Sequence, residues 1–303
     1  MAALGDGSVA LAGGTEVVPL LRDGLLRADR LVDVRLVVPR GVTSTSTSTT
    51  HRGTPTSPSA STSAVRIGAG TPLAELELDP QIPAVLREAC RLAASPQLRS
   101  MGTIGGNLRQ ATRCWYWRLH YPCFLHGGDR CHAREGQHRE HAIFANDRCA
   151  SAHPSDPAAA LLALGARVRT DRRELDVGDL YRLPTDDDRD VVALEPDELL
   201  LELDAPVPEA SVYLKAMDRR KWAFPLVGVA AARDGGGGQI RIGLAGVAPI
   251  PWLLASPDEL DSATPLPGTE YKLRIARVNR SQHSKAFLIS SADCADLRRL
   301  KIY

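Results

Sequence analysis

A chain of 303 residues is long enough for two domains, and 44% hydrophobic with 24% charged residues is ordinary for a globular protein that buries a core. A formal net charge of +1 gives no reason to expect nucleic acid or an anionic membrane as partner. No run approaches the roughly 18 apolar residues of a membrane span, and residues 1–11 lack a basic start followed by an apolar stretch, so no secretory signal and a cytoplasmic location are expected.

In chain order, residues 8–12 read as a short buried strand running into Gly13-Gly14. Residues 17–26 read as a helix with apolar Val17, Val18, Leu20, Leu21 and Leu25, and residues 31–38 as a second strand. Residues 43–63 are almost all Ser, Thr, Pro and Ala. Such a stretch buries too little apolar surface to offset its ordering entropy, which predicts a flexible surface insertion. Alternation resumes as a strand at residues 65–69, and Thr71-Pro72-Leu73-Ala74-Glu75 carries helix-start chemistry. Residues 83–94 predict an amphipathic helix buried through Val85, Leu86, Ala89, Leu92 and Ala93, with Cys90 beside that face as a core residue. Ser155-Asp156-Pro157 opens a capped helix to residue 164, followed by strands at 166–170 and 199–203. A composition shift near 205–210 divides the chain. Beyond it, residues 226–232 and 239–247 predict a hairpin turning at Asp234-Gly235-Gly236-Gly237-Gly238, and residues 272–288 a closing helix. The fold class expected is α+β.

Two diglycine turns stand out, Ala12-Gly13-Gly14-Thr15 and Gly102-Thr103-Ile104-Gly105-Gly106-Asn107. Without a Cβ the backbone can approach a ligand closely, and consecutive N–H groups form a concavity that attracts phosphate oxygens. Neither turn is a Walker loop or a Gly-x-Gly-x-x-Gly fingerprint. Each alone is as well explained by a structural turn; the pair, with Ser155-Asp156 further on, favours a dinucleotide.

Four of the six cysteines, Cys114, Cys123, Cys131 and Cys149, fall in one segment; Cys90 and Cys294 lie elsewhere. No Cys-x-x-Cys pair of a zinc ribbon or ferredoxin is present. The same stretch holds Trp115, Tyr116, Trp117, Tyr121, Phe124 and Phe144, an apolar shell of the kind that limits water access to a cluster, and His120, His126, His132, His138, His141 and His153. Spacing leaves three readings open: a [4Fe–4S] cluster, a structural zinc that uses a histidine, or thiols without metal.

Leu11-Ala12-Gly13-Gly14-Thr15-Glu16 and the run from Ser95 through Met101-Gly102-Thr103-Ile104-Gly105-Gly106 to Asn107 resemble the two FAD motifs of the medium, flavoprotein subunit of molybdenum hydroxylases, the xanthine dehydrogenase, aldehyde oxidoreductase and carbon monoxide dehydrogenase family. Tyr213-Leu214-Lys215, Arg219, Phe224-Pro225-Leu226-Val227-Gly228, Gly246-Val247-Ala248-Pro249 and Pro265-Leu266-Pro267-Gly268 resemble its C-terminal domain. Arg113-Cys114-Trp115-Tyr116-Trp117-Arg118 and Cys149 before His153-Pro154-Ser155-Asp156 resemble the subset with an extra cluster loop, 4-hydroxybenzoyl-CoA reductase and certain bacterial aldehyde oxidoreductases.

The resemblance implies a two-part FAD domain and a smaller α+β C-terminal domain. Residues 1–64 would form the first FAD subdomain, 65–206 the second with an iron–sulfur loop at 113–150, and 207–303 the last domain. It implies FAD on Leu11, Ala12, Gly13, Gly14, Thr15, Glu16, Thr103, Gly105, Gly106 and Asn107, with Asp156 near the ribose and Lys215 near the flavin ring. It also implies a [4Fe–4S] cluster on Cys114, Cys123, Cys131 and Cys149, and two partners: a large molybdenum-cofactor subunit and a small [2Fe–2S] subunit. No Ser/His/Asp triad or carboxylate pair suggests substrate chemistry, so an electron relay is expected. A zinc-stabilised binding module and a stand-alone FAD oxidase are the alternatives.

Overall fold

The computed structural model describes residues 7–48, 61–219, 221–235 and 238–277. Three sheets carry the architecture. The smallest pairs β1 (Ser8–Leu11) in parallel with β2 (Arg30–Asp33), joined through α1 (Val17–Arg22). Next in the chain come β3 (Val42–Ser48), β4 (Ser61–Gly68), α2 (Leu73–Leu76), α3 (Ala84–Leu92), α4 (Pro96–Met101) and α5 (Ile104–Leu108). The cysteine segment holds the short turns α6 (Trp115–Arg118) and α7 (His132–Glu135) and leads into α8 (Asp156–Leu164). Strands β5 (Arg167–Thr170), β6 (Glu174–Asp176) and β7 (Leu200–Pro206) join β3 and β4 in a five-stranded antiparallel sheet of order β3-β4-β7-β5-β6. The rest is a four-stranded antiparallel sheet of order β11-β10-β9-β8, from β8 (Ala210–Ala216), β9 (Val227–Arg233), β10 (Ile240–Ala245) and β11 (Trp252–Leu254). The chain thus changes sheet between residues 206 and 210, where the composition shifts.

Helix α8 is the hub. Its nine residues are all buried, as a helix that is apolar all round must be. Ser155 caps it, its Oγ accepting the Ala158 N–H at 3.0 Å, and Gly165 ends it at φ +64°. It packs on α3, β9 and β10. Contact with β10 is close enough that a Cβ on Gly243 would lie 2.2 Å from the Ala159 carbonyl oxygen. β9 is buried on both faces. Ala230 and Ala232 join the core that α8 shares with the five-stranded sheet, and Val227 and Val229 turn to a second core that takes in Ile143 and Phe144 of the cysteine segment.

Several sequence expectations shift. The 43–63 stretch is not a flexible insertion at its ends: Val42–Ser48 pairs residue for residue with Ser61–Ile67, and residues 49–60 lie outside the described set. Counting apolar surface within the stretch missed that its pairing partner supplies it, since β4 buries Val65 and Ile67 and Thr suits an edge strand. The second strand stops at Asp33, where the chain turns through Val34. The first helix ends at Arg22, and the helix near residue 71 begins at Leu73, with the Thr71 hydroxyl bonded to the Gly68 carbonyl instead of capping. Cys90 is fully buried, which pushes its thiol far up. Residues 270–277 are helical; the remainder of the expected 272–288 helix, Gly236, Gly237 and Cys294 fall outside the described residues. Among the described residues no helix is long and apolar enough to cross a membrane.

Candidate cofactor-binding site

The two diglycine turns, far apart in sequence, touch. A Cβ on Gly13 would sit 1.8 Å from the Met101 carbonyl oxygen, so only glycine lets the first turn lie on the second. Gly14 holds φ at +71°, a left-handed conformation that glycine adopts without strain. The second turn is pinned to the end of β4: the Gly105 N–H donates to the Ala69 carbonyl at 2.9 Å and the Ile104 N–H to that of Thr71 at 2.9 Å. The Thr103 Oγ accepts the Gly106 N–H at 3.2 Å, which leaves its O–H free to donate.

Both turns open on one cavity of about 320 Å³. Of the residues expected to hold a cofactor, Ala12, Gly13, Gly14, Thr15, Glu16, Thr103, Gly105 and Gly106 line it. The wall also contains residues that sequence reasoning missed: the guanidinium-bearing Arg109, and apolar Val34, Val38, Leu199 and Leu200. Arg109 stands two positions after Asn107, where a cation following a phosphate-type turn was the available signal. The apolar wall had no signal of its own, because it is assembled from two segments about 160 residues apart.

Four expected residues are placed elsewhere. Leu11 closes β1, its carbonyl accepting the Val34 N–H at 3.0 Å. Asn107 turns inward, and its Oδ1 accepts the Ser155 hydroxyl at 2.6 Å, tying the second turn to the cap of α8. Asp156 and Lys215 do not line the cavity but form a buried ion pair, Lys215 Nζ to Asp156 Oδ2 at 2.8 Å. Lys215 also donates to the Leu92 carbonyl at 2.8 Å, and the Tyr213 hydroxyl donates to Asp156 Oδ1. Burial raises the Asp156 pKa while Lys215 and Tyr213 pull it down; the net is upward. Both charged groups are thus engaged in holding α8 and α3 against β8.

Cys114, Cys123, Cys131 and Cys149 surround one small enclosed space, with Phe124 and Ser151 in its wall. Three of them each stand immediately before a short helical turn. The Ala150 N–H donates to Cys131 Sγ at 3.4 Å, and the N–H groups of the turns after Cys114, Cys123 and Cys131 pull those thiols toward thiolate. Cys149 Sγ lies 3.3 Å from Ser151 Oγ, and His141 Nε2 lies 3.1 Å from Cys114 Sγ. Burial pushes the Cys114 thiol up to about 11 against the pull of its N–H groups. Cys131 moves the other way, down to about 6, under the influence of the neighbouring Cys149 side chain and of backbone N–H groups, while that neighbour and burial move Cys149 up. None of the five described cysteines forms a disulfide. Among the described residues no three His, Cys, Asp or Glu side chains are grouped to hold a metal ion.

The family model for the FAD binding domain in molybdopterin dehydrogenase matches residues 1–208. The chain is 34% identical over 267 residues to the aldehyde oxidoreductase FAD-binding subunit PaoB of Escherichia coli (strain K12), covering 83% of this chain and 78% of that one. Among solved structures, a carbon monoxide dehydrogenase from Hydrogenophaga pseudoflava lacking the Mo-pyranopterin moiety of its cofactor aligns with a TM-score of 0.57 at 23% identity, over 91% of this chain and 88% of that chain. Quinoline 2-oxidoreductase from Pseudomonas putida 86 aligns at 0.52 with 19% identity, over 82% and 69%. At these identities the structural matches speak for the fold, the mixed α and β architecture expected.

Proposed function

The chain belongs to the family of FAD binding domains in molybdopterin dehydrogenases, and on that premise we propose that it is the flavin-carrying, electron-relaying subunit of a multi-subunit molybdenum hydroxylase. The observation that carries this is the cavity where both diglycine turns meet. Its fit to FAD is chemical. Backbone N–H groups of two turns suit a diphosphate, Arg109 brings a cation toward that charge, and Val34, Val38, Leu199 and Leu200 offer an apolar wall for a flat ring. Bound FAD supplies exchange between one-electron and two-electron carriers. The chain's own part is to orient it and to keep water from one side of the ring. Large molybdenum-cofactor and small [2Fe–2S] subunits are the partners this role requires.

The cysteine segment is assigned a [4Fe–4S] cluster on Cys114, Cys123, Cys131 and Cys149. Support comes from four sulfurs around one space, from the Ala150 N–H that donates to Cys131, and from turn N–H groups that pull three of the thiols toward thiolate, as the environment of a cluster requires. Such a cluster, held by the four cysteines, would supply a one-electron station.

Anaerobic purification followed by flavin, iron and zinc quantitation tests both parts. One FAD and about four irons per chain are expected. Cys123→Ser should lose the iron and keep the flavin, because Cys123 lies outside the turn cavity. A protein that carries zinc and no flavin would instead establish the binding-module alternative.

A further inference from the structure

Glu16 immediately follows the first diglycine turn and lines its cavity, yet the cysteine segment holds its carboxylate. Oε1 accepts from Arg118 Nη2 at 2.7 Å and from the Ala111 N–H at 3.2 Å, and Oε2 accepts from Arg113 Nη2 at 2.7 Å. Arg113 directly precedes Cys114, and Arg118 closes the helical turn that Cys114 begins. The two arginines are themselves fixed. Arg113 Nη2 also donates to Gln110 Oε1 at 3.0 Å, and Arg118 Nε to the Thr112 carbonyl at 2.9 Å. Thr112 Oγ1 in turn accepts the Cys114 N–H at 3.1 Å. All three charged side chains are largely covered: Glu16 is 15% exposed, Arg113 29% and Arg118 19%. Charge-assisted bonds in such a setting are stronger and more directional than exposed pairs.

One carboxylate therefore grips both flanks of a cysteine turn from the rim of the phosphate-type turn. We propose that Glu16 is a positioning residue that couples occupancy of the diglycine cavity to the order of the Cys114 segment. A diphosphate seated on Gly13 and Gly14 holds the backbone that carries Glu16, and Glu16 holds Arg113 and Arg118. Because coupling is reciprocal, an ordered cysteine segment tightens the cavity for its ligand to the same degree. The inference rests on the FAD assignment of the cavity and is independent of which metal the cysteines hold.

The test uses the full chain stripped of metal. Alkylation of Cys114 by iodoacetamide is followed by mass spectrometry with and without saturating FAD, and FAD binding is measured by fluorescence in the same samples. In the wild type FAD should slow Cys114 labelling roughly tenfold, a middling allosteric coupling. In Glu16→Gln, at an FAD concentration raised until the variant is saturated, that ratio should fall toward one. A purely structural loosening would raise both rates and leave their ratio unchanged. Arg118→Gln, which leaves the diglycine turn untouched, should give an intermediate ratio and carries the test if Glu16→Gln folds poorly. The same ratio in wild type and variants, or FAD binding without protection in the wild type, overturns the coupling alone. A wild type that binds no FAD removes the cavity assignment and the coupling with it.

Discussion

At the scale of single residues, His153 shows how burial becomes pH dependence. It is 3% exposed, its Nδ1 accepts the Ser155 N–H at 3.3 Å, and its ring meets Tyr181 edge-on at 5.0 Å. Burial, and then the nearby Arg113 charge, lower its pKa to about 3. An unfolded histidine titrates near 6.5. Between those values the unfolded chain binds a proton that the folded chain refuses, so this contribution to stability is complete above pH 6.5 and declines as pH falls toward 3. Glutamine does not titrate. His153→Gln should therefore lose less stability between pH 7 and pH 4 than the wild type does, as read by urea midpoints at each pH; parallel curves would refute the assignment. Chemistry at this scale was partly legible beforehand. Ser155 as a cap and Cys90 as core follow from local pattern, and both hold. That Asp156 meets Lys215, and Glu16 meets Arg118, does not, because the partners lie 59 and 102 positions apart.

Among the elements, the paired turns are the most demanding. Gly13 meets backbone rather than a side chain, so no rotamer change can make room for a Cβ. Gly14 meets only Val18 and Leu11 side-chain atoms at 3.4 and 3.6 Å, and its burden is its positive φ. Gly14→Ala should thus cost about 1–2 kcal/mol of backbone strain. Gly13→Ala must push the two turns apart and should weaken FAD binding more severely than Gly14→Ala, as measured by flavin fluorescence titration. The reverse order would mean that the turns do not act as one cradle. These turns were visible as motifs, and so was the hairpin of β9 and β10. The β3–β4 pairing was hidden because β3 offers a single apolar residue, Val42, ahead of its Ser/Thr run, and the partner strand supplies the buried Val65 and Ile67.

For the whole molecule, α8 links the two larger sheets. Leu161 is fully buried in the core that collects β4, β7, β9 and α3 side chains. Leu161→Ala should lower unfolding free energy by about 2–5 kcal/mol, since a cavity there has walls from both sheets and cannot collapse easily. A loss below about 1 kcal/mol in denaturant titration would show that the sheets do not depend on this helix. The sequence by itself determined the local pieces: caps, glycine turns, periodic strands, the cysteine-rich segment and, through its motifs, the family. Each of those depends on residues close together in the chain. Only the tertiary structure decided that the turns lie on each other, which apolar side chains close their cavity, and that Glu16 reaches across to the cysteines. Those contacts join segments from about 90 to about 160 residues apart, and only the folding of the sheets around α8 brings them together.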